Sequence, residues 1–258
     1  MSKGPKKKYF QMKKQAERKG EIWIYGEITS YEWDESDVSA SGFRDELKTL
    51  GEVNEIDVYI NSGGGSVFEG IAIHNMLKQH KAKVTVHIDA LAASIASVIA
   101  MAGDAIVMPS NSMMMIHNAW TIAMGNSKEL RKLADDLDRI SESSKQSYLS
   151  KGLKITEEKL QELLDDETWL NAEQCLEYGF CDEVESANKM AASITPKQVK
   201  LYQKVPEKVV EMANDGTKTM VETPKDEEPV KLSAQEEMER QQIIESCKTT
   251  NLILGGIV

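Results

Sequence analysis

The stretch IDVYINSGGGSVFEGIAIHNMLKQH, Ile56 to His80, decides the fold. Its first five residues are a short apolar run rich in β-branched side chains, which reads as a strand over Ile56–Ile60. Three glycines, Gly63, Gly64 and Gly65, interrupt the run. From Val67 to His80 the apolar positions then fall at helical spacing, with Val67, Ile71, Met76 and Leu77 facing inward. Strand, tight turn and helix make half of a βαβ unit, so the next strand, Val84–Ile88, is expected to lie parallel to the first.

Working outward, the alternation continues in both directions. EIWIYGEI at Glu21–Ile28 reads as a strand, and Ser39–Leu50 as a helix stopped by Gly51. Beyond the central unit come a helix over Ser94–Ala102 closed by Gly103, strands at Ala105–Met108 and Met113–Ile116, and a polar strand-like segment at Thr121–Asn126. Lys128–Leu149 is a long amphipathic helix with Leu130, Leu133, Leu137 and Ile140 on one face. Asn171 with Gln174 forms a capping-box signature for a short helix that Gly179 ends, before a last strand near Cys181–Val184. The repeated strand and helix order predicts an α/β fold with parallel pairing.

After Ser186 the composition shifts to scattered prolines and an acidic cluster at Asp226–Glu228, which reads as a linker that does not pack. A charged helix over Ser233–Ser246 and an apolar end at Asn251–Val258 are expected beyond it. The resulting division is a basic tail over 1–20, an α/β domain over 21–187, and an acidic, partly disordered extension over 188–258.

Composition narrows the function. A net charge of −11 over 258 residues argues against general nucleic-acid binding, which needs a basic face. The exception is the lysine-rich start, Lys3 to Lys19, which reads as a solvated tail. Cys175, Cys181 and Cys247 form no CxxC pair, so structural zinc is not expected and a reducing, cytoplasmic setting is. The most apolar window, Ala90–Gly103, is too short for a bilayer, and no apolar core follows the basic start as a secretory signal requires. Neither a membrane span nor a cofactor is expected.

Three short segments carry chemistry. ALAAS at Ala90–Ser94 opens the apolar helix, MMMIH at Met113–His117 closes a strand, and NSGGG at Asn61–Gly65 ends another. A serine hydroxyl needs a base to take its proton, and an attacked carbonyl needs backbone N–H groups to hold its developing charge. Ser94, His117 and the pair Gly64 N–H and Ile95 N–H are the candidates. Read singly, Ser94 is a helix N-cap and His117 a half-buried histidine; the glycine cradle beside them points to nucleophilic acyl transfer. Ser97 is an alternative nucleophile, His87 a rival base, and His74 and His80 sit in or at the end of a helix. The glycine run lacks the Lys and Ser/Thr of a phosphate loop and misses GxGxxG, since Phe68 stands at the third glycine.

The segments YINSGGGSVFEGIAIHNML, DALAASIASVIAMAG, MMMIHNAW and ETWLNAEQCLEYGFCDEV, in this order, resemble the ClpP peptidase family over Glu21–Glu185. Within it, GEIT at Gly26–Thr29, AMAGD at Ala100–Asp104 and ETW at Glu167–Trp169 are similar to the ClpP-like head-maturation proteases of tailed bacteriophages. The resemblance implies a spiral of ββα units, shared in outline with crotonases, and a homo-oligomer of heptameric, stacked rings joined through a protruding strand and helix at Thr121–Leu149. It implies Ser94 as nucleophile, His117 as base, Gly64 and Ile95 as oxyanion donors, and an acid at Glu167, with Asp166 as the alternative. Ala90 stands where the family has glycine, Gly63 where it has proline, and Glu167 where it has aspartate. Protein substrates follow, phage capsid or scaffold proteins among them, with any ATP dependence supplied by a separate AAA+ unfoldase. A crotonase-type acyl-CoA enzyme and a non-catalytic ring or scaffold protein are the alternatives.

Overall fold

Strand β3 (Glu55–Ser62) runs into the glycine turn, and helix α2 (Val67–Lys78) follows it, as the opening stretch requires. The computed structural model describes residues 11–15, 18–31, 37–188, 194, 196–207, 209 and 210. In chain order these form β1 (Gln11–Gln15), β2 (Lys19–Ile24), α1 (Ala40–Leu50), β3, α2, β4 (Lys83–Ala93), α3 (Ile95–Ala100), β5 (Ala105–Pro109) and β6 (Met113–Ile116). Then come α4 (Ser127–Lys151), α5 (Glu157–Asp165), β7 (Thr168–Asn171), α6 (Ala172–Tyr178), β8 (Glu183–Glu185) and α7 (Pro196–Val199).

The sheet order is β1-β2-β3-β4-β5-β8, with every neighbouring pair parallel except β1 against β2. This is the mixed α/β architecture expected. Isoleucines and valines alternate into the core from β2, β3 and β4, where Ile22, Ile24, Ile56, Val58, Ile60, Val86 and Ile88 are fully buried against Phe43, Ile73 and Leu77 of the helices. Each such side chain contributes about 1.5–3 kcal/mol relative to exposure. On the opposite face Trp23, Tyr59 and His87 stack in register across three strands.

Two features of the sheet place the site. The register slips between Ile60 and Ser62, so that Ser62 pairs with Ala92 and the glycine turn lies beside the end of β4. β4 itself changes partners: Thr85–His87 pairs with β5, whereas Leu91–Ala93 pairs with β6. β6 then carries β7 on its other side, antiparallel.

The local punctuation read correctly. Ser39 caps α1 through its side chain and Gly51 ends it at φ 67; Asn171 and Gln174 form the capping box of α6, and Gly179 ends it in the left-handed region. Other expectations are corrected. Strand β1 lies inside the stretch read as a basic tail, paired antiparallel with β2. β4 continues five residues past Ile88 to Ala93, because β6 offers its far half a ladder. Thr121–Asn126 forms no strand, having no ladder partner among the described residues. Thr121–Leu133 is set apart as a unit, in which Asn126 caps the start of α4 and Ile122, Met124 and Leu130 are exposed.

The largest correction concerns the chain after Ser186. Far from being unpacked throughout, it contributes buried Ile194, Gln198 and Val209, with Val199, Tyr202 and Val205 partly buried beside them. Their apolar side chains are few and lie among prolines and charges, too sparse a pattern to announce burial. The expected helix at Ser233–Ser246 and the end at Asn251–Val258 lie outside the described residues. Among the described residues no helix is long and apolar enough to cross a membrane, and no cluster of three metal-ligating side chains occurs.

Candidate active site

Ser94 is the single residue between β4 and α3. Its φ of 55 and ψ of −128 are unusual for any residue with a side chain and cost about 1–3 kcal/mol, so the surroundings must impose them. They do so through the backbone. Ser94 N–H donates to the Met115 carbonyl of β6 at 2.8 Å, and the Ser94 carbonyl accepts from Ser97 N–H at 3.0 Å and from the Ser97 hydroxyl at 2.5 Å. Although Ser94 occupies the N-cap position, its side chain makes no capping bond. Its Oγ lies 2.7 Å from His117 Nε2 instead.

That distance follows from strand register. Ala93 pairs with Met115, so the residues just past the two strand ends, Ser94 and His117, emerge side by side. Burial pushes the imidazole's pKa below its ordinary value, and the negative charge of Glu167 offsets this only partly. The ring is therefore neutral at pH 7, and an Nε2 that accepts the serine proton requires the other proton on Nδ1. Ser97, by contrast, is fully buried, with its hydroxyl bonded to the Tyr148 hydroxyl at 2.7 Å, which makes it a support for the Ser94 turn.

The glycine turn closes on the same point. At Gly64, φ is +90, and a Cβ would stand 2.7 Å from the Ala93 carbonyl and from Ser94 Cβ and 3.3 Å from Ile95 N, so only glycine lets the turn approach the serine this closely. The turn is stitched to the chain after β2, with Ile28 N–H donating to the Gly64 carbonyl at 3.0 Å and Ser66 N–H to the Ile28 carbonyl at 2.6 Å. Gly64 N–H itself donates to Ser62 Oγ at 3.1 Å, and that hydroxyl donates to the Gly26 carbonyl at 2.5 Å. Ile95 opens α3, so its N–H belongs to the helix-start group that lacks intrahelical partners.

The carboxylates are arranged differently from the sequence expectation. Glu167 stands close enough to raise the His117 pKa, yet its Oε1 accepts from the backbone N–H groups of Gln203 at 2.6 Å and Lys204 at 2.8 Å. Asp166 is paired with Lys204 Nζ at 3.1 Å, and Asp165 accepts from Asn118 at 2.6 Å and Gln161 at 2.8 Å. Among the described residues no carboxylate hydrogen-bonds the His117 ring. Glu167 thus acts on the imidazole through its field.

The residues that sequence reasoning missed are those of the C-terminal stretch. Tyr202 sets its ring edge-on to His117, at 5.5 Å between centroids and 83°, and to Trp169 at 6.1 Å. Its hydroxyl donates to the Gly63 carbonyl; burial pushes the phenol's pKa up, and Ser94 opposes the rise. The remaining histidines lie elsewhere. His87 is within the stacked face beside Asp57, His74 lies on α2 next to Asn75, and His80 accepts from Ala82 N–H. Cys175 and Cys181 are buried free thiols, the second with its pKa pushed up to about 11 by burial, so neither is a nucleophile. Trp120 is 42% exposed.

The family model described as Clp protease matches residues 7–188. The ATP-dependent Clp protease proteolytic subunit of Deinococcus radiodurans is 32% identical over 133 residues, covering 50% of this chain and 64% of the relative. The protein of the same description from Leuconostoc citreum is 31% identical over 150 residues, covering 54% of this chain and 70% of the relative. The chain thus spans just under two thirds of the length of the first of these relatives and slightly more of the second.

Proposed function

This chain belongs to the Clp protease family, and we propose that it is a serine endopeptidase in which Ser94 is the nucleophile and His117 the general base. The observation that carries the reading is the 2.7 Å approach of Ser94 Oγ to a neutral His117 Nε2, on a serine whose backbone is held in a strained turn. His117 takes the hydroxyl proton as Oγ adds to the peptide carbonyl, then returns it to the departing amine. Water enters by the same base and releases the acyl group from Ser94.

The carbonyl oxygen becomes negative in the first step, and Ile95 N–H and Gly64 N–H are its proposed donors. Gly64 serves by turning its N–H from Ser62 to the substrate. A single donor of this kind is worth about 2.7–4 kcal/mol in the transition state. Glu167 stabilises the imidazolium that forms, with Asp166 the alternative acid. Its charge already lifts the His117 pKa against burial.

The wider reading includes a homo-oligomeric ring, supported by exposed Ile122, Met124 and Leu130 in the stretch Thr121–Leu133. The relatives' description as ATP-dependent proteolytic subunits supports a cytoplasmic setting, protein substrates and a separate AAA+ unfoldase. A role in phage head maturation rests on the sequence resemblance alone. Fluorophosphonate labelling followed by peptide mass mapping tests the chemistry. Label on Ser94, lost in Ser94→Ala and sharply slowed in His117→Ala, is the expected result; undiminished labelling of Ser94→Ala refutes the nucleophile.

A further inference from the structure

We infer that the described residues 194, 196–207, 209 and 210 belong to an autoinhibitory segment seated in the chain's own catalytic groove, with Tyr202 as the stopper over Ser94. The inference rests on the peptidase reading above and names what regulates that site. The segment lies beyond residue 188, where the family match ends.

Residues of this one segment lie against every catalytic part. The Tyr202 ring lies edge-on to the imidazole of His117, whose Nε2 holds Ser94 Oγ, and its hydroxyl donates to the Gly63 carbonyl of the glycine turn. Glu167, the proposed acid, is engaged by two consecutive amides, Gln203 N–H and Lys204 N–H, while Lys204 Nζ takes Asp166. Gln198 lies against the glycine turn. A Cβ at Gly63 would stand 2.7–2.8 Å from its side-chain amide, so the glycine in place of the family's proline is what makes room for it.

Underneath, Ile194 and Val209 share a buried cluster with Leu91, Ala93 and Met115, the two strand ends that present Ser94 and His117. A peptide carbonyl cannot approach Ser94 while the Tyr202 phenol lies against the hydrogen-bonded Ser94–His117 pair. The segment meets the catalytic groups through a side-chain hydroxyl and backbone N–H groups, and among the described residues none of its carbonyls is bonded at Ser94, which makes it a plug and not a bound substrate. The seat is also imperfect. Trp169, against which Tyr202 packs, keeps a buried indole N–H with no partner among the described residues.

The test uses the full chain and the rate of Ser94 labelling by a fluorophosphonate. Tyr202→Ala is expected to label about tenfold faster than wild type or more, because a blocked state is depopulated. Gln203→Pro, which removes an amide held by Glu167 without touching Ser94, also accelerates labelling. Tyr202→Phe, which keeps the ring and loses the hydroxyl, falls between. A synthetic peptide of residues 194–210 slows the Tyr202→Ala protein again, and the same peptide carrying alanine for the tyrosine does not. Equal labelling rates in wild type, Tyr202→Ala and Gln203→Pro overturn the autoinhibition and leave the peptidase reading standing. If no variant with a wild-type circular dichroism spectrum labels at Ser94, the peptidase reading falls and the inhibition with it.

Discussion

Replacing Gly70 by alanine would strike the site through its scaffold, without adding or removing any reacting group. Gly70 lies on the buried face of α2, where a Cβ would come within 2.2 Å of Ile95 Cγ1 and 3.2 Å of Ile95 Cβ and Cδ1. Ordinary carbon contacts need about 3.5–4.0 Å, so a gap of roughly 1.5 Å must be found. Ile95 cannot swing away easily, since it is β-branched on a helix and only 3% exposed. The start of α3 must therefore move, taking the Ile95 N–H and the Ser94 turn with it. Overpacking costs about 1–3 kcal/mol, offset by about 1 kcal/mol of helix propensity gained on leaving glycine. Net stability should fall by only about 0–2 kcal/mol.

Activity should suffer far more. A misplacement of about 1 Å in a catalytic constellation costs on the order of a hundredfold, and a lost oxyanion donor a hundred- to a thousandfold. Urea unfolding and fluorophosphonate labelling of Gly70→Ala, run in parallel, should show a modest shift in midpoint beside a labelling rate reduced about a hundredfold. In an Ile95→Ala background, which opens the space, the added Gly70→Ala change should cost much less, a coupling that a double-mutant cycle reads directly. Gly70→Ala protein that is folded and labels at the wild-type rate would show that the α2–α3 contact does not position the Ile95 amide.

Two further outcomes follow from charge and burial. The base must be deprotonated to act, and its pKa is lowered, so kcat/KM should rise with pH through a value below about 6.5. Glu167→Gln removes the charge that opposes that lowering, so the acidic limb should move to still lower pH; a limb moving upward contradicts the assignment. Tyr148→Phe deletes the hydroxyl bonded to buried Ser97 and should destabilise the fold by about 1–3 kcal/mol in denaturant titration. Because Ser97 also holds the Ser94 carbonyl, labelling should slow in the same variant.

Much of the local structure was readable from the chain alone. Ser39 and Gly51 around α1, and Asn171, Gln174 and Gly179 around α6, act through bonds between residues close in sequence, so pattern suffices to find them. Ser94, His117 and the glycine run were likewise marked by their places at the ends of apolar segments. What the sequence leaves open is pairing. β1, β7 and the far half of β4 exist because of ladders with strands distant in sequence, and the 2.7 Å between Ser94 and His117 is a product of the register of β4 on β6. Residues 194–210 escaped for the same reason. Their few apolar side chains are too sparse to announce burial, and only a preformed groove of Leu91, Ala93, Met115 and Trp169 gives Tyr202 a place to go. Caps and turns are local hydrogen-bond chemistry; register, groove occupancy and the orientation of a carboxylate are settled by surfaces that exist only after the chain has folded.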